Sequence, residues 1–324
     1  MHAPSKPLRV ALVGLTAGSL ALLAACGSGE TQAADGSSSG DKTIAFSPLA
    51  LKIPAMKGLS EGVTHYGDSK GYEVLVQDPN LDPQKQVTDL QSVIESGRVA
   101  GAWAISIDAS SMKALVTKAQ KDEVPLILNG TPEAYGFDGP QAGLSFSTID
   151  YVAQGKAIGE ELGNCINEKL DGKAEVIMEE NAPGTAGKEE IETAAKQALA
   201  ATAPGAKIVT SVVVNDRAAA QTDVGNALQG NPDAQAVLGT NDEGALGAIG
   251  GFKAAGKKLV CVTEAGGNDE VLAAVKKGDI YASVALQFDA DMAQSFDALL
   301  AMIDDPSKEG VQMTVPQKVI KAEG

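Results

Sequence analysis

The sequence predicts an α/β protein built as two similar lobes, each a doubly wound parallel sheet with helices on both faces. Two observations carry that prediction. Apolar runs of strand length alternate with amphipathic segments of helix length, and the pattern occurs twice over, five runs and then five more. About 280 residues remain once the N-terminal leader is set aside, which suits two domains of 100–200 residues each.

The first set of strand candidates is 43–47, 72–77, 100–107, 124–128 and 143–147. The second is 174–179, 207–214, 235–239, 258–263 and 280–286. Between them, Val87, Leu90, Val93 and Ile94 share one face of a helix over 84–96, and Leu246, Ile249 and Phe252 share one over 243–255. A last helix is expected at 290–303 and an extended piece near 311–320. "IAFSPLALKIPAM", residues 44–56, starts as a strand and is broken by Pro48 and Pro54, so the sheet ends near Ser47 and a loop follows over the ligand side.

The leader, residues 1–25, has Lys6 and Arg9 followed by an apolar run from Val10 to Ala25, the order of a secretory signal. Its end, Leu23-Ala24-Ala25-Cys26, resembles the lipobox of bacterial lipoproteins, which implies lipid attachment at Cys26. Residues 26–42 are rich in Gly and Ser and read as a flexible tether. No second long apolar segment follows, so attachment to the membrane is expected through Cys26 alone. An extracytoplasmic location permits a disulfide between Cys165 and Cys261, and two buried thiols are the other possibility.

The chain carries 26 basic and 42 acidic residues. Without Lys6 and Arg9 its formal charge moves from −16 to about −18, which argues against nucleic acid and anionic lipid as partners. Outside the leader the only histidine is His65, in a surface helix, so a zinc site or a histidine triad is not expected. "APGTAGKE" (182–189) lacks the first glycine and the Ser/Thr of a phosphate loop. In "DPNLDP" (78–83), Pro83 replaces the turn glycine of a calcium loop, so Asp82 is read as a helix cap with Pro83 as the first helical residue. No metal or cofactor is expected, and no nucleophile motif stands at the strand ends, so the chain is read as a non-enzyme.

Ligands of doubly wound sheets bind beyond the carboxyl ends of the strands. There this chain offers amides, hydroxyls and carboxylates. With that layout, the chain resembles the periplasmic-type sugar-binding proteins of the ribose/galactose class, the solute receptors of ABC importers. "DPNLDPQKQVTDLQSVIESG" (78–97), "VPLILNG" (124–130), "TNDEGALGAIGGFKAAGK" (240–257) and "VLAAVKKGDIYASVALQ" (271–287) carry the resemblance, which spans Thr43 to the C-terminus. It implies a periplasmic binding protein-like I fold whose two lobes are joined by a three-segment hinge, with crossings near 146–150, 287–289 and after Asp305. On that pattern residues 43–147 plus 289–305 form the first lobe, 148–288 the second, and 306–324 a hinge crossing and tail.

Carried over residue by residue, the resemblance gives a mixed site. Asn241 matches the cleft asparagine, and Gln287 matches the glutamine ending the last strand, allowing one inserted residue. The Asp-Arg pair after the fourth strand reads Asn129-Gly130, and the clamping arginine falls at Ile191 with Lys188 nearby. The Gly-Phe-Asp-Gly turn becomes Glu264-Ala265-Gly266-Gly267. Asn-Pro-Phe-Phe in the first loop becomes Ile53-Pro54-Ala55-Met56, losing both aromatics that stack on a sugar face. Phe46, Trp103, Phe137, Phe146 and Phe288 are the candidates to replace them, with Trp103 first read as core.

The expected ligand-binding set is therefore Ser47, Ile53, Met56 and Asn129 from the first lobe, Asn215, Asn241 and Glu264 from the second, and Gln287 at the hinge. The expected function is capture of a small polar solute, a sugar, polyol or sugar derivative, by a lipid-anchored monomer that delivers it to the permease and ATPase subunits of an ABC importer. A sensor of the same fold, or a receptor for an amine using Glu179, Glu180 and Glu264, is the alternative.

Overall fold

A computed structural model describes residues 42–214 and 216–322, with the backbone alone for Pro54 and Ala55. The leader, Cys26, most of the tether and Asn215 lie outside the described residues.

The first lobe opens with β1 (Thr43–Ser47), α1 (Pro54–Lys70), β2 (Glu73–Val76) and α2 (Pro83–Glu95). It continues through β3 (Gly101–Ala104), α3 (Lys113–Lys121), β4 (Leu126–Asn129) and β5 (Leu144–Thr148). The second lobe begins with α4 (Tyr151–Lys169), β6 (Lys173–Asn181), α5 (Lys188–Thr202) and β7 (Gly205–Val214). After it come α6 (Arg217–Gly230), β8 (Ala234–Leu238), α7 (Asp242–Ala254) and β9 (Cys261–Gly266). The chain ends with α8 (Asp269–Lys277), β10 (Ala282–Leu286), α9 (Phe288–Asp304), β11 (Gln312–Thr314) and β12 (Gln317–Lys321).

The strands form two six-stranded sheets, β11-β5-β4-β3-β1-β2 and β12-β10-β9-β8-β6-β7. Each has an apolar core on both faces. The expected crossing and tail at 306–324 is corrected here, because it gives each sheet an edge strand. β11 runs parallel to β5, and the chain then turns through Val315-Pro316 into β12, antiparallel to β10. β12 enters the second sheet directly from the first, with no intervening helix to reverse its direction, so it opposes its neighbour.

Three segments cross between the lobes: 149–150, Gln287 and 315–316. They are tied to one another. Val315 N donates to Thr148 O at 2.8 Å, Gln287 N to Pro316 O at 2.8 Å, and Gln317 Nε2 to Asp150 O at 3.1 Å. Every pair of elements in extensive contact belongs to a single lobe, so these crossings are where one lobe can turn on the other.

Local chemistry explains the element ends. Asp82 accepts from the N–H groups of Gln84 and Lys85, with Pro83 opening α2. Pro54, expected in a loop, instead opens the 17-residue helix α1, where a residue lacking an N–H costs no helical bond. The buried face of α7 is also corrected. It carries Gly244, Ala245, Gly247, Ala248, Gly251 and Phe252, with Leu246 and Ile249 only partly buried. α6 lies so close that a Cβ on Gly247 would stand 2.6 Å from that of Ala220. Cys165 on α4 and Cys261 on β9, for which both readings stood open, are joined as a disulfide with Cα atoms 5.8 Å apart.

Candidate functional site

The carboxyl end of the second sheet opens on a cavity of about 290 Å³. The N-terminus of α4 contributes Tyr151 and Gln154, the end of β6 and its loop contribute Asn181 and Thr185, and Thr240 and Asn241 lie before α7. Ile149, Ala186, Ile191, Ala265, Gly266 and Leu286 complete the wall, so the lining is amide, hydroxyl and apolar with no charged side chain.

Asn241 does two jobs in this wall. Its Oδ1 accepts from Gly244 N at 2.9 Å, capping α7, and its Nδ2 donates to Asn181 Oδ1 at 2.9 Å. One N–H of Asn241 and both of Asn181 remain to donate to a ligand. The Thr240 hydroxyl is buried without a protein partner, a group whose desolvation a ligand hydroxyl would offset.

The first lobe gives a different picture. Ser47 is 1 % exposed, and its hydroxyl accepts from Gln86 Nε2 at 3.1 Å. Gln86 also bonds Ile105 O and Ile107 N, so it pins the ends of β1 and β3. The Ser47 hydroxyl oxygen is therefore engaged by Gln86 in this conformation. Asn129 is half-buried; its Oδ1 accepts from Ser106 N and its backbone carbonyl from the Tyr135 hydroxyl. The Asn129 Nδ2 is left to donate. Ile53 stands at the N-cap of α1 and Met56 in its first turn, both half-buried. A second cavity of about 520 Å³ spans both lobes beside the first crossing, with Thr131, Pro132 and Glu133 on one side and Tyr151, Val152 and Glu190 on the other. Gln287 sits at the second crossing, its Nε2 turned to Ala285 O at 3.3 Å. Asn215 lies outside the described residues.

The acids that left room for an amine do not enter the second-lobe cavity. Glu179, opposite Gly239, shares one row of the sheet with Glu264 and Ser283. Residues of one row project from one face, here onto α7, where Glu179 Oε2 would stand 2.5 Å from a Cβ on Gly244. Both glutamates are 0 % exposed. Burial pushes the Glu179 carboxyl up to about 8. Burial first, then the neighbouring Asp242 carboxylate, push Glu264 well above its usual range, with the Ser283 hydroxyl opposing. Burial favours the neutral form of both side chains, and both lie behind the cavity floor. Asp242 holds that floor, accepting from Gly267 N at 2.8 Å and Asn268 N at 3.1 Å. Glu180 faces Lys188 and Lys196, and Lys188 is further paired with Glu192.

The aromatic candidates resolve in a similar way. Phe46, Trp103 and Phe146 are fully buried, with Phe46 and Trp103 edge-to-face at 5.1 Å. Phe137 packs on the first-lobe core and Phe288 stands exposed. The aromatic residue in the second-lobe cavity is Tyr151, which sequence reasoning missed along with Gln154. Both follow β5 by a few residues, just past the stretch 146–150 whose sequence reads as a crossing between lobes.

A model of the periplasmic binding protein domain matches residues 44–307. The ribose import binding protein of Bacillus subtilis is 31% identical over 278 residues, 83% of this chain and 85% of that protein. A xylitol-binding protein of Mycolicibacterium smegmatis is 27% identical over 263 residues, 79% of this chain and 70% of that one. Among solved structures, a periplasmic solute-binding protein of an ABC transporter from Actinobacillus succinogenes, with bound D-allose, superposes with a TM-score of 0.73. It is 22% identical and covers 86% of this chain and 97% of its own. A Caulobacter myo-inositol binding protein gives 0.69 at 22% identity, covering 87% and 94%.

Proposed function

We propose a function from one premise: the chain belongs to the periplasmic binding protein family. It is an extracytoplasmic solute-binding protein, like the binding proteins it matches, and not an enzyme. Its solute is a small neutral polyhydroxy compound, a sugar or cyclitol, delivered to the permease and ATPase subunits of an ABC importer. The uncharged wall around Asn181, Asn241 and Thr240 carries this reading. An ammonium group against that wall would lose its water without meeting a carboxylate of the second-lobe cavity, whereas hydroxyls find amide and hydroxyl partners there. The burial of Glu179 and Glu264 behind the floor supports neutral sugar over the amine alternative.

Asn181, Thr240 and Asn241 bind from the second lobe, and Asn129, Ile53 and Met56 from the first. Ser47 and Glu264 support the two floors, and Gln287 sits at the pivot. Asn215, which follows β7, adds a further amide from the second lobe. Contacts from both lobes are complete only when the lobes close, so the ligand draws them together. Cys26 anchors the protein, as a monomer, through lipid outside the cytoplasmic membrane. A thermal-shift screen tests the reading: D-ribose, D-allose, myo-inositol and xylitol against glucosamine and small amines. A neutral member at 100 times its dissociation constant is expected to add about 2.7 kcal/mol and the amines nothing. Stabilisation by amines alone, or by no member, would contradict it.

A further inference from the structure

We infer that Tyr151 is the aromatic platform of the solute site, and that the solute it selects is ring-closed rather than acyclic. The inference rests on the reading of the second-lobe cavity as the solute site.

The start of α1 has Ala55 and Met56 where stacking aromatics are expected, and Phe46, Phe146 and Trp103 are consumed by the first-lobe core. Tyr151 lines both the second-lobe cavity and the cavity that spans the lobes. Its ring is held by the turn before α5. Gly187 has φ of +73°, and a Cβ there would fall 2.2 Å from Tyr151 Cγ. Only glycine lets that turn lie so close. The ring is therefore backed on one side by main chain. As the first residue of α4, it also follows directly from the first crossing between the lobes. Fixing the ring in advance reduces the ordering cost of binding.

Amides and an aromatic ring divide the work. Asn181, Asn241 and Gln154 address hydroxyls at the edge of a ligand, while the tyrosine face accepts a contiguous patch of C–H groups. A pyranose, furanose or cyclitol presents such a patch in a fixed arrangement. An acyclic polyol must give up rotational freedom to assemble one.

Calorimetric titration of the protein with D-ribose, D-allose, myo-inositol and xylitol tests this, using wild type, Tyr151→Phe and Tyr151→Leu. The tightest wild-type ligand is expected to be cyclic. Tyr151→Leu should weaken it by about tenfold, the scale of one aromatic contact, and Tyr151→Phe by less than about threefold. Xylitol binding should change by less than that of the cyclic ligand in Tyr151→Leu. In NMR of the wild-type complex, nuclear Overhauser contacts should link the Tyr151 ring to ligand C–H protons and move from the tyrosine to the phenylalanine region in Tyr151→Phe. That measurement decides the matter even if Tyr151→Leu does not fold. Undiminished binding by Tyr151→Leu, a preference for xylitol, or absent ring contacts would overturn the inference and leave the solute-site reading standing. Failure of wild type to bind any member would remove both.

Discussion

Glu179 is a residue whose chemistry follows from where the pleat aims it. Neither of its carboxylate oxygens has a hydrogen-bond partner, and burial raises it from 4.5 to about 8. Between those values the folded protein holds a proton that the unfolded chain has released. Stability is therefore lost as pH rises through that window, by at most about 1.4 kcal/mol per pH unit from this group. Glu264 adds to the loss in the same direction. Glu179→Gln, which keeps the shape without the titration, should match wild type in urea midpoint near pH 5 and exceed it near pH 8. Parallel pH dependence of the two proteins would contradict this. Glu264 was legible in the sequence as an acid at a strand end, but its direction was not. A shift of one residue in register exchanges the two faces of a strand, and only pairing with β8 and β10 fixes which face the side chain takes. Asn241 was legible because it matches the cleft asparagine of the family that the chain resembles, and it lines the second-lobe cavity.

Among the elements, the pair α4 and α5 shows what sequence pattern can and cannot say. Gly155 and Gly159 are spaced one helical turn apart, and each packs on the α5 backbone. A Cβ on Gly155 would fall 2.2 Å from Ile191 O, and one on Gly159 would fall 2.2 Å from Ala195 O. Main chain cannot move aside as a side chain can, so Gly155→Ala should cost about 1–3 kcal/mol in urea unfolding, despite alanine's better helix propensity. Equal or greater stability would show that the two helices separate freely. Strand and helix positions along the chain were readable from periodicity, and the Asp82-Pro83 start of α2 from capping chemistry. Pro54 was not, because proline breaks a strand and begins a helix with the same ring. The small-residue face of α7 was equally hidden, since an approach to α6 is a property of two segments and hydropathy reports on one.

For the whole molecule, two lobes with matching strand orders and three tied crossings form a device that can close without rebuilding either core. The doubled alternation of strands and helices made the lobes visible in the sequence. The exchange of β11 and β12 between sheets was not visible, because one extended run of about ten residues gives no sign of a sheet boundary inside it. On the proposed reading this device closes on one neutral, ring-closed polyhydroxy solute. Native mass spectrometry of protein purified without unfolding, then mixed with the same sugars and cyclitol, tests it most directly. One added mass per chain is expected, released on denaturation as an uncharged sugar or cyclitol. Chains that take up no such molecule, or that carry an amine instead, would contradict it.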